Sequence, residues 1–211
     1  MGLRDWYDAY VMPRIVKCGC SQGPIMERRS HVVPLASGTV FELGCGGGFN
    51  QEFYDTAAVT RFCGIDPHAG LLESARGRAR ARGWDHNIFV GFGEDIPFSN
   101  EEFDTAVCTF TLCSVQDPAR VISELRRILK PGGRLLFLEH GRAPDASVAR
   151  WQDRIEPVWK RIAGGCHLTR PITSAIMGGG FDVASQGQGY LPKSPRFAGW
   201  MEWGVAQKIG A

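Results

Sequence analysis

Apolar residues fall along this chain in short bursts separated by longer segments of helical character. Thr39-Val-Phe-Glu-Leu43 is β-branched and apolar and breaks abruptly into Gly44-Cys-Gly-Gly-Gly48, the pattern of a buried strand running into a tight turn that leads to a helix. Phe62-Cys-Gly-Ile65 predicts a second strand, and the alanines and arginines that follow predict a helix from about Gly70 to Arg82. Ile88-Phe-Val90 and Thr105–Phe110 read as the third and fourth strands, with a helix from about Ala119 to Leu129 after the fourth. Pro131-Gly-Gly133 stops that helix, and Arg134-Leu-Leu-Phe-Leu138 is the fifth strand. The tail carries a helix near Pro171–Met177 and strands near Phe181–Ser185 and Met201–Gln207. Residues 1–36 predict short helices ahead of the sheet.

This alternation specifies an α/β fold, a doubly wound parallel sheet with helices on both faces. Ligands of such sheets bind beyond the carboxyl ends of the strands. The long segment from Gly141 to Thr169 follows the fifth strand and falls beside those ends, so the stretch of about 142–170 is expected to act as a lid.

Composition sets limits without naming a function. A chain of 211 residues with 44% hydrophobic and 22% charged residues forms one domain with its own core. A net charge of +2 gives no electrostatic case for nucleic acid. No apolar run approaches the roughly 20 residues of a bilayer span, and charges stand where a signal peptide would be apolar, so a cytoplasmic address is expected. Nothing fixes an oligomeric state. The 7 cysteines are scattered, which speaks for reduced thiols. Cys18-Gly-Cys20 lacks further ligands at metal-site spacing, so no metal is expected.

Chemistry concentrates at Glu42-Leu-Gly44-Cys-Gly46-Gly-Gly48, where glycines allow close backbone approach to a ligand. A dinucleotide fingerprint would require glycine at position 49, which is Phe, so a nicotinamide cofactor is disfavoured. Gly64-Ile-Asp66-Pro67 places an acid just past the second strand, where it can grip ribose hydroxyls.

Four stretches in order, Val40–Gly48, Gly64-Ile-Asp66, Gly93-Glu-Asp-Ile-Pro-Phe98 and Leu129–Leu135, resemble the motifs of class I S-adenosylmethionine (SAM)-dependent methyltransferases. The resemblance implies a Rossmann-like sheet of about seven strands, mostly parallel with an antiparallel last strand. It makes residues 37–211 the SAM-binding domain, with residues 1–36 packing over the active site. It implies that Gly44, Gly46 and Gly48 wrap the methionine part of SAM, that Asp66 binds both ribose hydroxyls, and that Glu94 or Asp95 meets the adenine. Glu42, Cys45, Pro67, Gly93, Thr109 and Phe110 are the further cofactor-binding residues that the resemblance implies. Phe92 departs from the family, many members of which carry Asp there.

Cys108–Val115, Phe137-Leu-Glu-His140, Trp151–Trp159 and Gly165–Arg170 together resemble the methyltransferase-like thiol S-methyltransferases and their bacterial relatives. A small-molecule acceptor follows, an apolar thiol by this resemblance. A phospholipid amine, a quinone-like ring or a SAM sensor without turnover are the alternatives. His140 is the candidate base or substrate-orienting group, with a structural hydrogen-bonding role as the alternative. His167 is a weaker candidate for catalysis. Trp151 and Trp159 are expected to pack in the core, Cys113 to be a small buried hydrophobe, and Arg76, Arg78, Arg80 and Arg82 to form a solvated face. Tyr7, Tyr10 and Phe110 are candidate aromatic faces for a cationic methyl donor.

Overall fold

The computed structural model describes residues 11–210. Helices α1 (Met12–Cys20) and α2 (Gly23–Val32) precede the first strand, β1 (Gly38–Leu43). They are followed in order by β2 (Val59–Asp66), α3 (Ala69–Ala79), β3 (Ile88–Val90), β4 (Phe103–Thr109), α4 (Pro118–Ile128) and β5 (Leu129–His140). The chain then forms α5 (Ala146–Ile162), α6 (Ile172–Gly178), β6 (Phe181–Tyr190), the short α7 (Arg196–Gly199) and β7 (Trp200–Lys208).

The 7 strands form one sheet in the order β3-β2-β1-β4-β5-β7-β6. Neighbours from β3 to β5 pair in parallel, and β7 runs antiparallel to both β5 and β6, so β7 alone is reversed. Successive side chains of a strand face opposite sides, and the core follows that period. Phe41, Cys63, Ala106, Cys108, Leu135 and Phe137 pack on one side, under α4 and α6. Val40, Phe62, Val107 and Leu136 pack on the other with Leu72 and Ala75 of α3.

Local chemistry explains the element ends. The Asp117 side chain caps α4 by accepting from the Arg120 amide at 3.0 Å, with Pro118 in the first turn. Val121, Ile122, Leu125 and Ile128 recur at the helical period and are buried. Pro131-Gly132-Gly133 is expected to separate helix from strand, yet it lies within β5. There the register to β4 jumps from Phe103–Leu129 to Thr105–Arg134, a bulge that absorbs the extra residues.

One other expectation changes. The glycine loop does not lead into a helix; residues 44–58 form successive turns. The segment after β5 is mostly helix, since α5 contains 17 residues with Pro157 inside it.

Candidate active site

Gly44 and Gly48 are each required for a different physical reason. Gly44 has φ of 70°, and a Cβ there would run into the Thr111 hydroxyl. Gly48 has φ of 76°, and its Cβ would sit 2.7 Å from Ala75 Cα, so this glycine serves close packing of the loop on α3. Between them the Gly46 amide donates to Asp66 Oδ2 at 2.9 Å. The His68 amide donates to Asp66 Oδ1 at 2.8 Å. Both oxygens of Asp66 are thereby aimed, and each retains acceptor capacity for a ligand.

Beneath the loop lies a buried polar network. Glu42, on β1, accepts from Asn50 Nδ2 and Tyr54 Oη at 2.9 Å each. Arg29, on α2, donates to Asn50 Oδ1 at 2.5 Å and to Thr109 Oγ1 at 2.7 Å, while its buried Nε has no hydrogen-bond partner. Burial pulls the guanidinium below its usual pKa, partly offset by the charges of Cys20 and Glu42. Burial also pushes the Glu42 carboxyl up to about 7, against the hydrogen bonds from Tyr54 and Asn50 and the charge of Arg29.

A raised folded-state pKa means that the native state holds the proton more tightly than the unfolded chain. The associated stability is complete below about pH 4.5 and is lost as pH rises through about 7. That shift corresponds to about 3 kcal/mol. Glu42→Gln is therefore expected to flatten the fall in stability between about pH 4.5 and pH 8 by about 3 kcal/mol relative to the unmodified chain. Urea denaturation at the two pH values checks this, and an unchanged pH dependence would assign the titration to another group.

The cavity above these groups measures about 850 Å³ and opens at the carboxyl ends of β1 to β5. Its far wall begins at Phe110, a non-glycine residue at φ of 56° whose amide is held by Leu138 O at 2.9 Å. Glu139 fixes the turn that follows. Its carboxylate accepts from the amides of Thr111, Leu112 and Cys113 at 2.8, 3.0 and 3.1 Å and is fully buried. Beyond it, Cys166 Sγ lies 3.5 Å from His140 Nδ1. The Cys166 thiol is driven well below its usual pKa by a hydrogen bond from Cys113 and by the charge of His140, while Cys113 is raised and keeps its proton. Burial pulls His140 down, but the charge and hydrogen bond of Cys166 outweigh it and leave the imidazole above its ordinary value.

The cavity brings together Glu42, Gly44, Cys45, Gly46, Asp66, Pro67, Gly93, Glu94, Thr109, Phe110 and His140 from the sequence expectations. Gly48 is not on its wall. Asp95 is exposed and also off the wall, so of the two acids it is Glu94 that reaches the cavity. The Glu94 Oε1 accepts from the Gln116 amide at 3.0 Å. Phe92 is on the wall and 60% exposed. His167 is off the wall and held by Glu156 Oε1 at 2.5 Å. The tryptophans do not share a core position: Trp151 is 58% exposed, whereas Trp159 lines the cavity edge-on to Phe197. Their spacing of eight residues leaves them nearly a quarter-turn apart on a helix of 3.6 residues per turn. Tyr7 and Tyr10 lie outside the described residues. Sequence reasoning missed Arg29, Cys20 and Cys166, all on the cavity wall, and gave Cys113 only a packing role.

Residues 41–137 match the family model described as a methyltransferase domain. A rat protein named thiol S-methyltransferase TMT1B is 42% identical over 136 residues, covering 63% of this chain and 55% of the rat protein. A Cereibacter sphaeroides protein named phosphatidylethanolamine N-methyltransferase is 30% identical over 142 residues, covering 64% of this chain and 68% of that protein. This chain belongs to the class I SAM-dependent methyltransferases. The fold agrees: an S-adenosylmethionine-dependent methyltransferase from Mesorhizobium loti superposes with a TM-score of 0.67 at 18% identity, over 90% of this chain and 100% of that one. The methyltransferase described here spans little more than half the length of the rat relative it matches. Among the described residues, no helix is long and apolar enough to cross a membrane.

Proposed function

We propose that this chain transfers a methyl group from SAM to the sulfur of a small apolar thiol. The observation that carries the reading is one cavity with two chemistries. Its polar side holds Gly44–Gly47, Asp66 and Arg29, and its other side holds Phe110, Trp159, Leu191 and Phe197 around Cys113, His140 and Cys166. The name and 42% identity of the rat relative support a thiol as acceptor.

The residues present fit the donor. The buried, unpartnered Nε of Arg29 suits the carboxylate of an amino-acid moiety. Asp66 offers an acceptor to each of two ribose hydroxyls. A Cβ built on Gly46 meets no protein atom closer than 3.8 Å, so the loop leaves room for close approach. Gly93 and Glu94 flank the adenine position, with Phe92 at its rim. Bound SAM supplies a methyl carbon on a sulfonium sulfur, already activated for displacement.

The chain's own contribution is placement and a dry surrounding. Holding the acceptor sulfur in line with the methyl carbon can contribute several kcal/mol, roughly 7–11 at best. Residues of α1 and α2 line the cavity together with Trp159, Ala163, Gly164 and Cys166 from the segment of about 142–170, and closure of that segment over bound ligands would exclude water. A thiolate and a sulfonium become neutral products, a loss of charge that an apolar wall favours. His140 stands at the acceptor end, where a group that binds or deprotonates a thiol belongs. The free cysteines fit a reducing, cytoplasmic setting.

The test is a panel of alkanethiols, phenols, amines and phosphatidylethanolamine vesicles with isotopically labelled SAM, scored by mass spectrometry. The S-methyl thioether is the expected product. Product only from a phenol or lipid amine would replace the acceptor, and SAM binding without product across the panel would make the protein a sensor.

A further inference from the structure

The corner of the cavity at the end of β5 holds more chemistry than transfer to a free thiol requires. Cys113 Sγ, Cys166 Sγ and a ring nitrogen of His140 all lie within 4.8 Å of one another. All three residues line the cavity. A tetrahedral zinc ion with its usual bond lengths to sulfur and nitrogen sets an S···N edge of about 3.6 Å and an S···S edge of about 3.8 Å. The observed edge from Cys166 Sγ to His140 Nδ1 is 3.5 Å. Two thiolates and an imidazole form a soft donor set, which selects zinc over magnesium or calcium. Three protein ligands with one position left open is the pattern of catalytic zinc, whereas structural zinc is closed by four.

The three ligands are also firmly placed. His140 is paired with Met201 of β7 in the sheet. The Cys113 amide donates to Glu139 Oε2 at 3.1 Å, and its carbonyl accepts from the His167 amide at 2.7 Å. The Cys166 amide donates to Ala163 O at 3.1 Å at the end of α5. A site assembled from ends of three separate segments, each tied down by backbone hydrogen bonds, has little freedom to lose on binding an ion.

We propose that Cys113, His140 and Cys166 bind a zinc ion in the cavity wall and that the acceptor thiol coordinates it as a thiolate at the fourth position. The metal site stands on the three side chains alone; the second half rests on the methyl-transfer reading. On binding, the acceptor S–H bond breaks, its proton leaves to solvent, and the sulfur takes a coordination bond to the ion. A lone pair on that sulfur then forms the new S–CH₃ bond while the donor's sulfonium–methyl bond breaks, its electron pair remaining on the donor sulfur. The neutral thioether is a weaker ligand than a thiolate and departs. No oxidant or reductant is required. Two cysteine thiolates neutralise the ion, Cys113 giving up its proton to solvent as the ion binds, and Arg170, whose charge acts on both cysteines, is held by Leu112 O at 2.6 Å and Val115 O at 2.7 Å.

Cobalt(II) reports on such a site without any turnover. The full chain, stripped with a chelator, is titrated with cobalt chloride. Intense visible bands of tetrahedral cobalt and thiolate-to-cobalt charge-transfer bands in the near ultraviolet are expected, displaced by zinc and unaffected by magnesium. The folded, unmodified protein lacking these bands would overturn the site, with no variant needed. Cys113→Ser, Cys166→Ser and His140→Gln should each weaken cobalt binding at least about tenfold. Cys18→Ser, at an exposed residue off the cavity wall, should not. Full bands in a folded Cys113→Ser/Cys166→Ser protein would place the metal elsewhere and sink the proposal. Adding 1-propanethiol should shift the spectrum where 1-propanol does not, and a spectrum indifferent to thiol would overturn the coordination step. Calorimetric SAM binding, measured separately, distinguishes the failures: intact thiol methylation by a chain that binds no cobalt removes the metal alone, and cobalt binding without SAM binding removes the methyl-transfer reading alone.

Discussion

Asp66→Ala is expected to weaken SAM binding by about a hundredfold in a protein that remains folded. Two charge-assisted hydrogen bonds to ribose hydroxyls are worth about 1.5–3 kcal/mol each, and a hundredfold loss is about 2.8 kcal/mol. The carboxylate also accepts from the amides of Gly46 and His68, so its removal loosens the loop that should hold the other half of the donor. Asp66→Asn keeps one acceptor oxygen and should fall between the two. Titration calorimetry measures the loss, with circular dichroism as the check on folding. Undiminished affinity in a folded Asp66→Ala protein would mean that the ribose is held elsewhere.

Glu139→Ala acts on stability. The substitution leaves three amide donors without an acceptor, those of Leu112 and Cys113 buried and that of Thr111 half-buried. Each orphaned donor costs about 1–3 kcal/mol. Relief of burying the carboxylate offsets part of this, leaving an expected loss of about 3–5 kcal/mol. Glu139→Gln should cost less, because Oε1, which serves both Thr111 and Leu112, can be kept as the amide oxygen. Urea denaturation gives the values. A change within about 1 kcal/mol for Glu139→Ala would show that the turn holds itself without the carboxylate.

The parallel half of the sheet was legible because its strands are short, apolar and punctuated by glycine and proline. Asp66 was legible for a similar reason, since the acid follows a strand end at a fixed distance from a glycine loop. Arg29 was not: it sits in Glu27-Arg-Arg-Ser-His31, a polar run that reads as a solvated helix face, and only tertiary packing buries it. Cys113 and Cys166 carry no local signal of each other, because they meet through the return of the chain after α5. The strand near Phe181–Ser185 extends to Tyr190 because Gln186-Gly-Gln-Gly189, weak in strand propensity, is held by pairing with β7. Pro131-Gly-Gly133 looked like a boundary because a bulge and a turn use the same residues. Trp151 was misplaced because eight residues are not a whole number of helical turns, so it does not share the face on which Trp159 packs against Cys113, Cys166 and Leu168.

The reversed strand β7 has a consequence for the order in which the protein takes shape. It inserts between β5 and β6, so β6, although made earlier, has no sheet neighbour until residues 200–208 have left the ribosome. During synthesis the nascent chain can assemble the five parallel strands, and with them the glycine loop and Asp66, well before that moment. His140 is different, because its register is fixed against Met201. The half of the cavity that should receive SAM is thus ready first, and the half that should receive the acceptor is completed only when the late strand slides into its gap.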